Sequence, residues 1–280
     1  MKKITNLTCY YTKKMLDIIS KLFLLLIFAF PFLWMVSTAF KTYRESIAVP
    51  PTLWVNNPTI QNIIDVFKSG PYDVYFMNSV IIVFVTIMLQ FIIYVPTAYI
   101  FARYEFKGKN FIFALVLIAF MVPYQVTFVP VYLLFSKIGL LDSLWPMIIP
   151  FIANPFGIFL LRQNFMQIDN NIIEAAQLDN AKEWKILLQV MVPIAKPTII
   201  TTTLFSFINN WNSYFWPLVM TNSPDYRPLT VGISLLKASE GTLNWPVVMA
   251  SNLILVVPIL IAYFFTKNKI MDSLSYTGIK

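Results

Sequence analysis

The sequence predicts an all-α integral membrane protein with six transmembrane helices. Hydrophobic residues make up 58% of the chain and charged residues only 12%, whereas a soluble domain is about 25% charged. Apolar runs recur along the chain, and several approach the roughly 20 residues that a helix needs to cross a bilayer. Lysine and arginine are concentrated between these runs rather than inside them.

Polar, basic or turn-forming segments separate the apolar runs. The first run, 22–40, follows a polar and basic segment and is too long for the hydrophobic core of a signal peptide. The loop at 39–75 contains Pro50, Pro51 and Pro58, a density of turn residues that argues against a span. The predicted spans are 22–40, 79–102, 111–135, 144–161, 198–220 and 246–265.

The distribution of lysine and arginine predicts the orientation of the spans. If the N-terminus is cytoplasmic, most of the 21 basic residues fall on the inside segments, as the positive-inside rule requires. Both termini and the segment 171–197 are then expected in the cytoplasm, in a multi-pass protein of the cell membrane. The net charge of +8 is therefore a topology signal, and we expect no binding to nucleic acid.

The residue inventory argues against catalytic and cofactor sites. The chain has no histidine, which is the commonest general base and a frequent zinc ligand. Its one cysteine, Cys9, provides neither a disulfide framework nor a cysteine metal site. A phosphate-binding GxxxxGK[ST] loop is missing, because Gly108 and Lys109 are followed by Asn110 and lack the earlier glycine. We therefore expect no enzymatic activity and no cofactor in this chain.

The segment 171–197 is the longest amphipathic and charged stretch in an otherwise apolar chain. Residues 171–179 are expected to form a short helix with Glu174 in its first turn, where a carboxylate suits the helix dipole. Asn180 interrupts this helix, since Asn tolerates a left-handed backbone at a helix end and is also a good N-cap. Glu183 lies three residues later, as in a capping box.

The second half of the same segment predicts another helix with one apolar face. Trp184, Leu188 and Met191 have the i, i+4, i+7 spacing of such a face. Pro193 and Pro197 are expected to close the helix. The pattern therefore predicts a helix, a bend and a second helix.

The run EAAQLDNAKEWKILLQVMVPIAKP within this segment resembles the EAA signature of the membrane subunits of ABC importers. The flanking sequences FLLRQNF, at 159–165, and WNSYFWPL, at 211–218, are similar to the carbohydrate-importer branch of the maltose-permease type. The family usually has Gly at the position of Asn180, and Asn can adopt the same backbone shape. We refer to 171–197 as the EAA loop.

The resemblance implies the permease fold of a type I ABC importer with cytoplasmic coupling helices. Besides membrane lipid it implies a second, non-identical permease, an ATPase dimer that binds ATP and Mg, and an extracytoplasmic sugar-binding protein. It divides the chain into 1–71, a transport domain at 72–266 and a cytoplasmic tail at 267–280, which keeps only Gly278 of the family's Gly-rich motif. The residues expected to couple the chain to the ATPases are Glu174, Ala175, Ala176, Asp179, Asn180 and Trp184.

The spans contain amides and aromatic rings, but no ionisable group lies well inside them. Amides within a membrane most often bond neighbouring helices together. The group at 209–214 is denser than that role requires, and amides beside rings suit a sugar, which offers hydroxyls and a face for stacking. The candidates for the substrate pathway are Asn209, Trp211, Asn212, Tyr214, Gln125 and Asn252.

Other functions fit these patterns less well than an importer permease. A self-sufficient secondary carrier usually needs ionisable groups inside its spans, and a channel needs a filter-like Gly-rich run or a ring of charge. An intramembrane enzyme needs a catalytic constellation, which this inventory does not supply. These alternatives leave the EAA loop without a role, so the importer permease is preferred and a carrier or channel for a polar solute is the alternative.

Overall fold

The computed structural model describes the backbone of residues 2–239 and 244–275, and the side chains of 13–236 and 244–268. Regular structure in these ranges is helical, and they contain no strand. The chain divides into two compact units. The first contains Met1–Gly70 and Leu235–Val256, and the second contains Pro71–Ser234 and Val257–Lys280.

The first unit begins with a long helix followed by two short ones. Its helices are α1 (Lys2–Ala39), α2 (Tyr43–Ser46) and α3 (Gln61–Lys68). The side-chain amide of Asn62 fastens α3 to the end of α1, because it donates to the carbonyls of Ala39 and Lys41, both at 2.8 Å. The loop expected at 39–75 is therefore a folded segment with its own helices.

The second unit is organised around α4, which packs against both α7 and α11. Its helices are α4 (Tyr72–Arg103), α5 (Lys109–Met121), α6 (Tyr124–Lys137), α7 (Pro155–Gln167), α8 (Asn170–Leu178), α9 (Glu183–Ile186), α10 (Val192–Ile194), α11 (Lys196–Trp211) and α12 (Phe215–Met220). Two later helices, α13 (Leu229–Ser239) and α14 (Trp245–Ser275), contribute residues to both units. The core around α4 includes Tyr94, Leu161, Phe165 and Met191.

Four stretches of the described chain are long and apolar enough to cross a membrane without a break. They are Lys13–Ala39, Tyr72–Arg103, Trp145–Gln167 and Trp245–Asn268. Two further candidates are bent pairs of helices, with an angle of 94° between α5 and α6 and of 79° at the junction of α10 and α11. If each bent pair is one span, the total is six, which is the number expected from the sequence.

Prolines break the third and fourth predicted spans. The predicted span 111–135 is not one helix, because the chain turns at Val122 and Pro123 between α5 and α6. A proline disfavours the helical conformation in the residue before it, and Val122 accordingly has an extended backbone with ψ 118°. The predicted span 144–161 begins as two short 3₁₀ turns, each containing a proline, before α7 starts.

The fifth predicted span, 198–220, is also interrupted. Its helix ends at Trp211, and helical structure resumes only at Phe215 in α12. Pro217 has no N–H to donate to the carbonyl of Ser213, so a continuous helix through this region would lose a hydrogen bond and suffer a clash. The polar residues 209–213 therefore lie at a helix end rather than in the middle of a span.

Candidate coupling loop and transport cavity

The first helix of the EAA loop, α8, presents most of its surface to solvent. Asp169 caps it, since Oδ1 of this residue accepts a 3.0 Å hydrogen bond from the N–H of Asn171. Ile173 is the residue that the helix buries. The expected coupling residues Glu174, Ala175 and Asp179 are exposed, and Ala176 is half-buried. The helix is thus open to a partner along the side that carries Glu174.

Asn180 adopts the left-handed backbone that the sequence predicts, with φ 55°. Its N–H bonds the carbonyl of Gln177 at 2.9 Å, and the N–H of Ala181 bonds the carbonyl of Ala176 at 3.0 Å. This pair of bonds is a Schellman motif, which satisfies carbonyls at the end of a helix and requires a left-handed residue where Asn180 lies. The predicted bend in the EAA loop is therefore confirmed.

The capping box predicted for Glu183 is wrong. The residue before α9 is Lys182, which makes no side-chain cap, and the Glu183 carboxylate bonds another helix instead. The hydroxyl of Tyr99, on α4, donates to Oε2 of Glu183 at 2.7 Å. Loss of solvent contact, and a hydrogen bond to the same carboxylate, raise the pKa of Tyr104 above its usual value. Glu183 thus attaches the EAA loop to the end of α4.

The apolar face predicted for the second helix is also wrong. Trp184 and Leu188 are 65% and 49% exposed, whereas Met191 is fully buried. A π-helical turn at Leu187–Met191 adds a residue to the turn, so Met191 leaves the face that Trp184 and Leu188 share. Ile186 is buried in place of Trp184. Because Trp184 is exposed, its side chain is available to contact a partner.

The two prolines expected to close this helix do not lie at its end. Pro193 is inside α10, directly after the π-helical turn, where it has no N–H for the carbonyl of Gln189. Pro197 lies in the first turn of α11, a position in which the missing N–H costs nothing. The change of direction occurs at Ala195, between α10 and α11.

Arg103, the last residue of α4, anchors the start of the EAA loop. Its Nη2 donates to the carbonyls of Phe165 and Ile168, both at 2.6 Å, at the C-terminal end of α7. Its Nη1 donates to the side-chain oxygen of Asn170, the first residue of α8. A single guanidinium thus satisfies helix-end carbonyls and fixes the point at which the chain enters the loop.

A cavity of about 840 Å³ lies in the second unit, along the break between α5 and α6 and the end of α11. Amides, hydroxyls and aromatic rings supply its polar and stacking groups. They are Gln90, Asn154, Ser206, Asn209, Asn210, Asn212 and Ser213, with Phe120, Tyr124, Phe151, Tyr214, Phe215 and Trp216. The described lining of this cavity contains no Asp, Glu, Lys or Arg.

Three of the six predicted pathway residues lie on this cavity, and Trp211 does not. Asn209, Asn212 and Tyr214 line it and are exposed. Trp211 is only 2% exposed and does not line the cavity, because its ring stacks on Phe207 at 5.6 Å and meets Phe76 edge-on at 5.8 Å. The run of polar and aromatic residues at 209–214 is therefore split between the cavity and the core.

Two other predicted pathway residues are not brought to this cavity. Gln125, in the first turn of α6, is exposed but is not among the described lining residues, although its neighbour Tyr124 is. Asn252, on α14, belongs to the first unit and is half-buried there. A helical break at Val122 redirects the side chains of α6, which sequence spacing did not reveal.

A hydrogen-bonded chain in the wall of the cavity contains residues that the prediction left out. The amide nitrogen of Gln90 donates to the carbonyl of Phe151 at 2.7 Å, and the hydroxyl of Ser206 donates to the Gln90 oxygen at 2.5 Å. Asn210 donates in turn to the Ser206 carbonyl at 2.8 Å. Gln90 was identifiable as an amide within a span, but the Ser206 hydroxyl gives no comparable signal in the sequence.

Trp216 forms a rigid wall of the cavity. Its indole Nε1 donates to the carbonyl of Pro146 at 2.7 Å, and the residue is 2% exposed. The rings of Phe128, Phe151 and Tyr124 surround it, with centroids 5.1, 5.5 and 6.3 Å away. Such edge-on aromatic contacts are favourable beyond their burial, so the wall holds its shape.

Residues 94–268 match the family described as binding-protein-dependent transport system inner membrane component. The chain belongs to this family. The match includes all of α5 to α13, and it therefore contains the EAA loop and most of the cavity lining. The predicted family membership is confirmed, and a self-sufficient carrier or channel is set aside. As an inner membrane component, the protein resides in the membrane.

Two relatives illustrate the similarity of this inner membrane component to other permeases. It is 30% identical over 262 residues to the arabinooligosaccharides transport system permease protein AraQ of Halalkalibacterium halodurans, covering 92% of this chain and 93% of that protein. It is 29% identical over 251 residues to the diacetylchitobiose uptake system permease protein NgcG of Streptomyces coelicolor, covering 88% of this chain and 82% of that one.

The fold of the inner membrane component is also that of a solved importer. A chain in the crystal structure of a bacterial ABC transporter involved in the import of the acidic polysaccharide alginate superposes with a TM-score of 0.79. The two chains are 22% identical, and the match covers 92% of this chain and 97% of the other. The predicted all-α permease fold of a type I ABC importer is therefore confirmed.

Proposed function

We propose that this chain is one of two permease subunits of an ATP-driven importer for a neutral sugar or oligosaccharide. A second, homologous permease completes the pathway, and an extracytoplasmic binding protein delivers substrate to the outer loops at 41–75 and 221–245. An ATPase dimer, which binds the ATP and Mg, receives the EAA loop. This chain is not an enzyme and needs no cofactor, and both of its termini are cytoplasmic.

The observation that carries the choice of substrate is the uncharged, amide-rich cavity. Asn209 and Asn212 expose side-chain amides on it, and an amide can donate to and accept from hydroxyls at the same time. Tyr214 and Phe215 add aromatic faces beside these amides. A neutral carbohydrate offers both hydroxyls and apolar ring faces, and it gains nothing from a charged lining.

The choice of coupling partner rests on the exposure of the EAA loop and on its attachment. Glu174 and Trp184 are exposed, although the helices that carry them are tied to the unit's core. Arg103 fixes the beginning of the loop and Tyr99 fixes its second helix, both from α4. A partner that moved the exposed side would therefore pull on the spans through hydrogen bonds as well as through the chain.

The functions of the similar proteins agree with this proposal. The two relatives are permeases for arabinooligosaccharides and for diacetylchitobiose, and the similar structure belongs to an importer of alginate. All three cargoes are carbohydrates. The cavity in this chain favours the neutral ones, because its described lining offers no cation to a carboxylate.

The test is sugar uptake by the complete importer, reconstituted in liposomes with its binding protein. Asn212→Ala and Asn209→Ala should each lower the uptake rate, and loss of one neutral hydrogen bond corresponds to roughly two- to tenfold. Asn110→Ala, which changes an exposed amide outside the cavity, is the matched control. ATP hydrolysis without substrate should stay at the native level in all three variants. Normal uptake by both cavity variants would place the sugar site in the other permease.

A further inference from the structure

A second cleft, of about 420 Å³, lies where α4 ends against the second helix of the EAA loop. It is apart from the transport cavity and shares none of its lining residues. Its walls are mostly apolar, and they include Pro96 and Ile100 from α4, Phe106 from the following turn, and Trp184 and Leu187 from the EAA loop. The proposed function uses Tyr99, Glu183 and Trp184 for coupling, but it gives the cleft that they line no ligand.

The polar end of the cleft is acidic. Glu105 and Glu183 are its charged lining residues, and no lysine or arginine lines it among the described side chains. Glu105 is already paired with Lys109 at 2.8 Å. Glu183 accepts hydrogen bonds from Tyr99 and Tyr104 but has no ion-pair partner in the described part of the chain. A carboxylate with free acceptor capacity therefore faces an apolar cleft.

The position of the cleft identifies the class of molecule that can fill it. Pro96, Tyr99 and Ile100 belong to the last two turns of a membrane span that ends at Arg103. Basic residues follow it, as expected at the cytoplasmic end predicted for this span, and lipid headgroups lie at such an end with their acyl chains beside the span. An amphiphile with an apolar body and an ammonium at the tip of its head is complementary to such a cleft, because the ammonium meets Glu183 while the chains cover the apolar wall.

We propose that the cleft binds one phospholipid with a primary-amine headgroup, phosphatidylethanolamine. Its ammonium donates hydrogen bonds to the Glu183 carboxylate, and an acyl chain lies along Ile100 and Leu187. A choline headgroup also carries a positively charged nitrogen, but it has no N–H to donate and so loses these bonds. Phosphatidylglycerol has no cation for Glu183. Trp184 forms part of the same wall, so the lipid touches the EAA loop itself.

The experiment uses the assembled importer, stripped of lipid and then exposed to phosphatidylethanolamine, phosphatidylcholine or phosphatidylglycerol with identical acyl chains. Native mass spectrometry should retain one phosphatidylethanolamine per copy of this chain, at roughly tenfold higher occupancy than the other two lipids. Glu183→Gln should remove that preference. Asp17→Asn, which removes one negative charge from α1, should leave it unchanged.

A second measurement needs no variant. Phosphatidylethanolamine with a photoactivatable acyl chain should crosslink in the native complex to peptides that contain residues 96–106 or 183–187. Equal retention of the three lipids would mean that only annular lipid is present and would overturn the proposal. Crosslinks that avoid both peptides would overturn it as well, since the cleft would then be covered by another subunit.

Discussion

The hydroxyl of Tyr99 donates a 2.7 Å hydrogen bond to the carboxylate of Glu183, two residues that are 84 positions apart in the chain. Tyr99 lies near the end of α4, and Glu183 is the first residue of α9. The bond joins a span to a loop that is not its neighbour in the sequence. Motion of the EAA loop is thereby linked to α4 as well as to the helices on either side of the loop.

Tyr99→Phe should weaken this link while leaving the ring in place. A hydrogen bond in this partly exposed setting contributes about 1 kcal/mol, so the number of sugars imported per ATP hydrolysed should fall roughly two- to fivefold. Both rates are measured in liposomes containing the complete importer. Tyr263→Phe, on the exposed side of α14, is the control. An unchanged ratio of transport to hydrolysis would mean that the bond plays no part in coupling.

Glu174→Lys should uncouple or detach the ATPase subunits, because it reverses the charge on the exposed side of α8. Glu174→Gln keeps the size and the helix preference of the side chain, so it should give a smaller defect of the same kind. Co-purification of the ATPase and sugar-stimulated hydrolysis are the measurements, and protease protection verifies that the spans are inserted. Native hydrolysis in the Lys variant would exclude an ionic contact at Glu174.

Asn180→Gly should be nearly silent, because glycine adopts a positive φ freely. Asn180→Val should lower stability by about 1–2 kcal/mol, since a left-handed backbone is unfavourable for a residue with a branched Cβ. The midpoint of thermal unfolding in detergent distinguishes the two. Equal midpoints for the Gly and Val variants would show that the loop bends without a left-handed residue.

Asn209→Cys and Asn212→Cys, in a Cys9→Ser background, should react with a water-soluble thiol reagent, because both positions are exposed on the cavity. Thr202→Cys is the matched buried control on the same helix, since Thr202 is only 2% exposed. Labelling is measured with and without ATP and binding protein. Protection of both cavity positions in every state would identify them as packing residues.

Gly232→Ala should destabilise the second unit. A Cβ at this position would clash with a ring carbon of Tyr75, which is itself buried. Overpacking of this kind costs about 1–3 kcal/mol. Combining the change with Tyr75→Leu should recover part of the lost thermal stability, because the ring is the obstacle. No loss of stability in Gly232→Ala would mean that α4 and α13 can shift enough to accommodate the added methyl group.

Local chemistry made the number of candidate spans and the bend of the EAA loop predictable, although three of the predicted spans are interrupted. Asn180 was identifiable because few residue types tolerate a left-handed backbone, and the Schellman motif needs one after α8. The apolar face of the next helix was not predictable by helical spacing. The π-helical turn at Leu187–Met191 changes the register, and periodicity assumes a constant one.

The site residues were predictable only in part, because contacts over long sequence separations decide which side chains face the cavity. Trp211 and Asn212 are adjacent in the sequence, yet one is buried and the other exposed where the helix ends. The hydrogen bond from Arg103 to the Phe165 carbonyl joins residues 62 positions apart, and no local sequence pattern predicts it. The residue types indicated the chemistry of the site, but the tertiary structure determines which of these side chains face the cavity.

The uncharged lining of the cavity has an electrical consequence. A voltage across a membrane performs work only on charge that moves through the field, at about 2.3 kcal/mol per elementary charge and 100 mV. The described residues around this cavity carry no formal charge, and neither does a neutral sugar. Passage of cargo past them would be electrically silent, so uptake should proceed at the same rate in polarised and depolarised vesicles supplied with equal ATP.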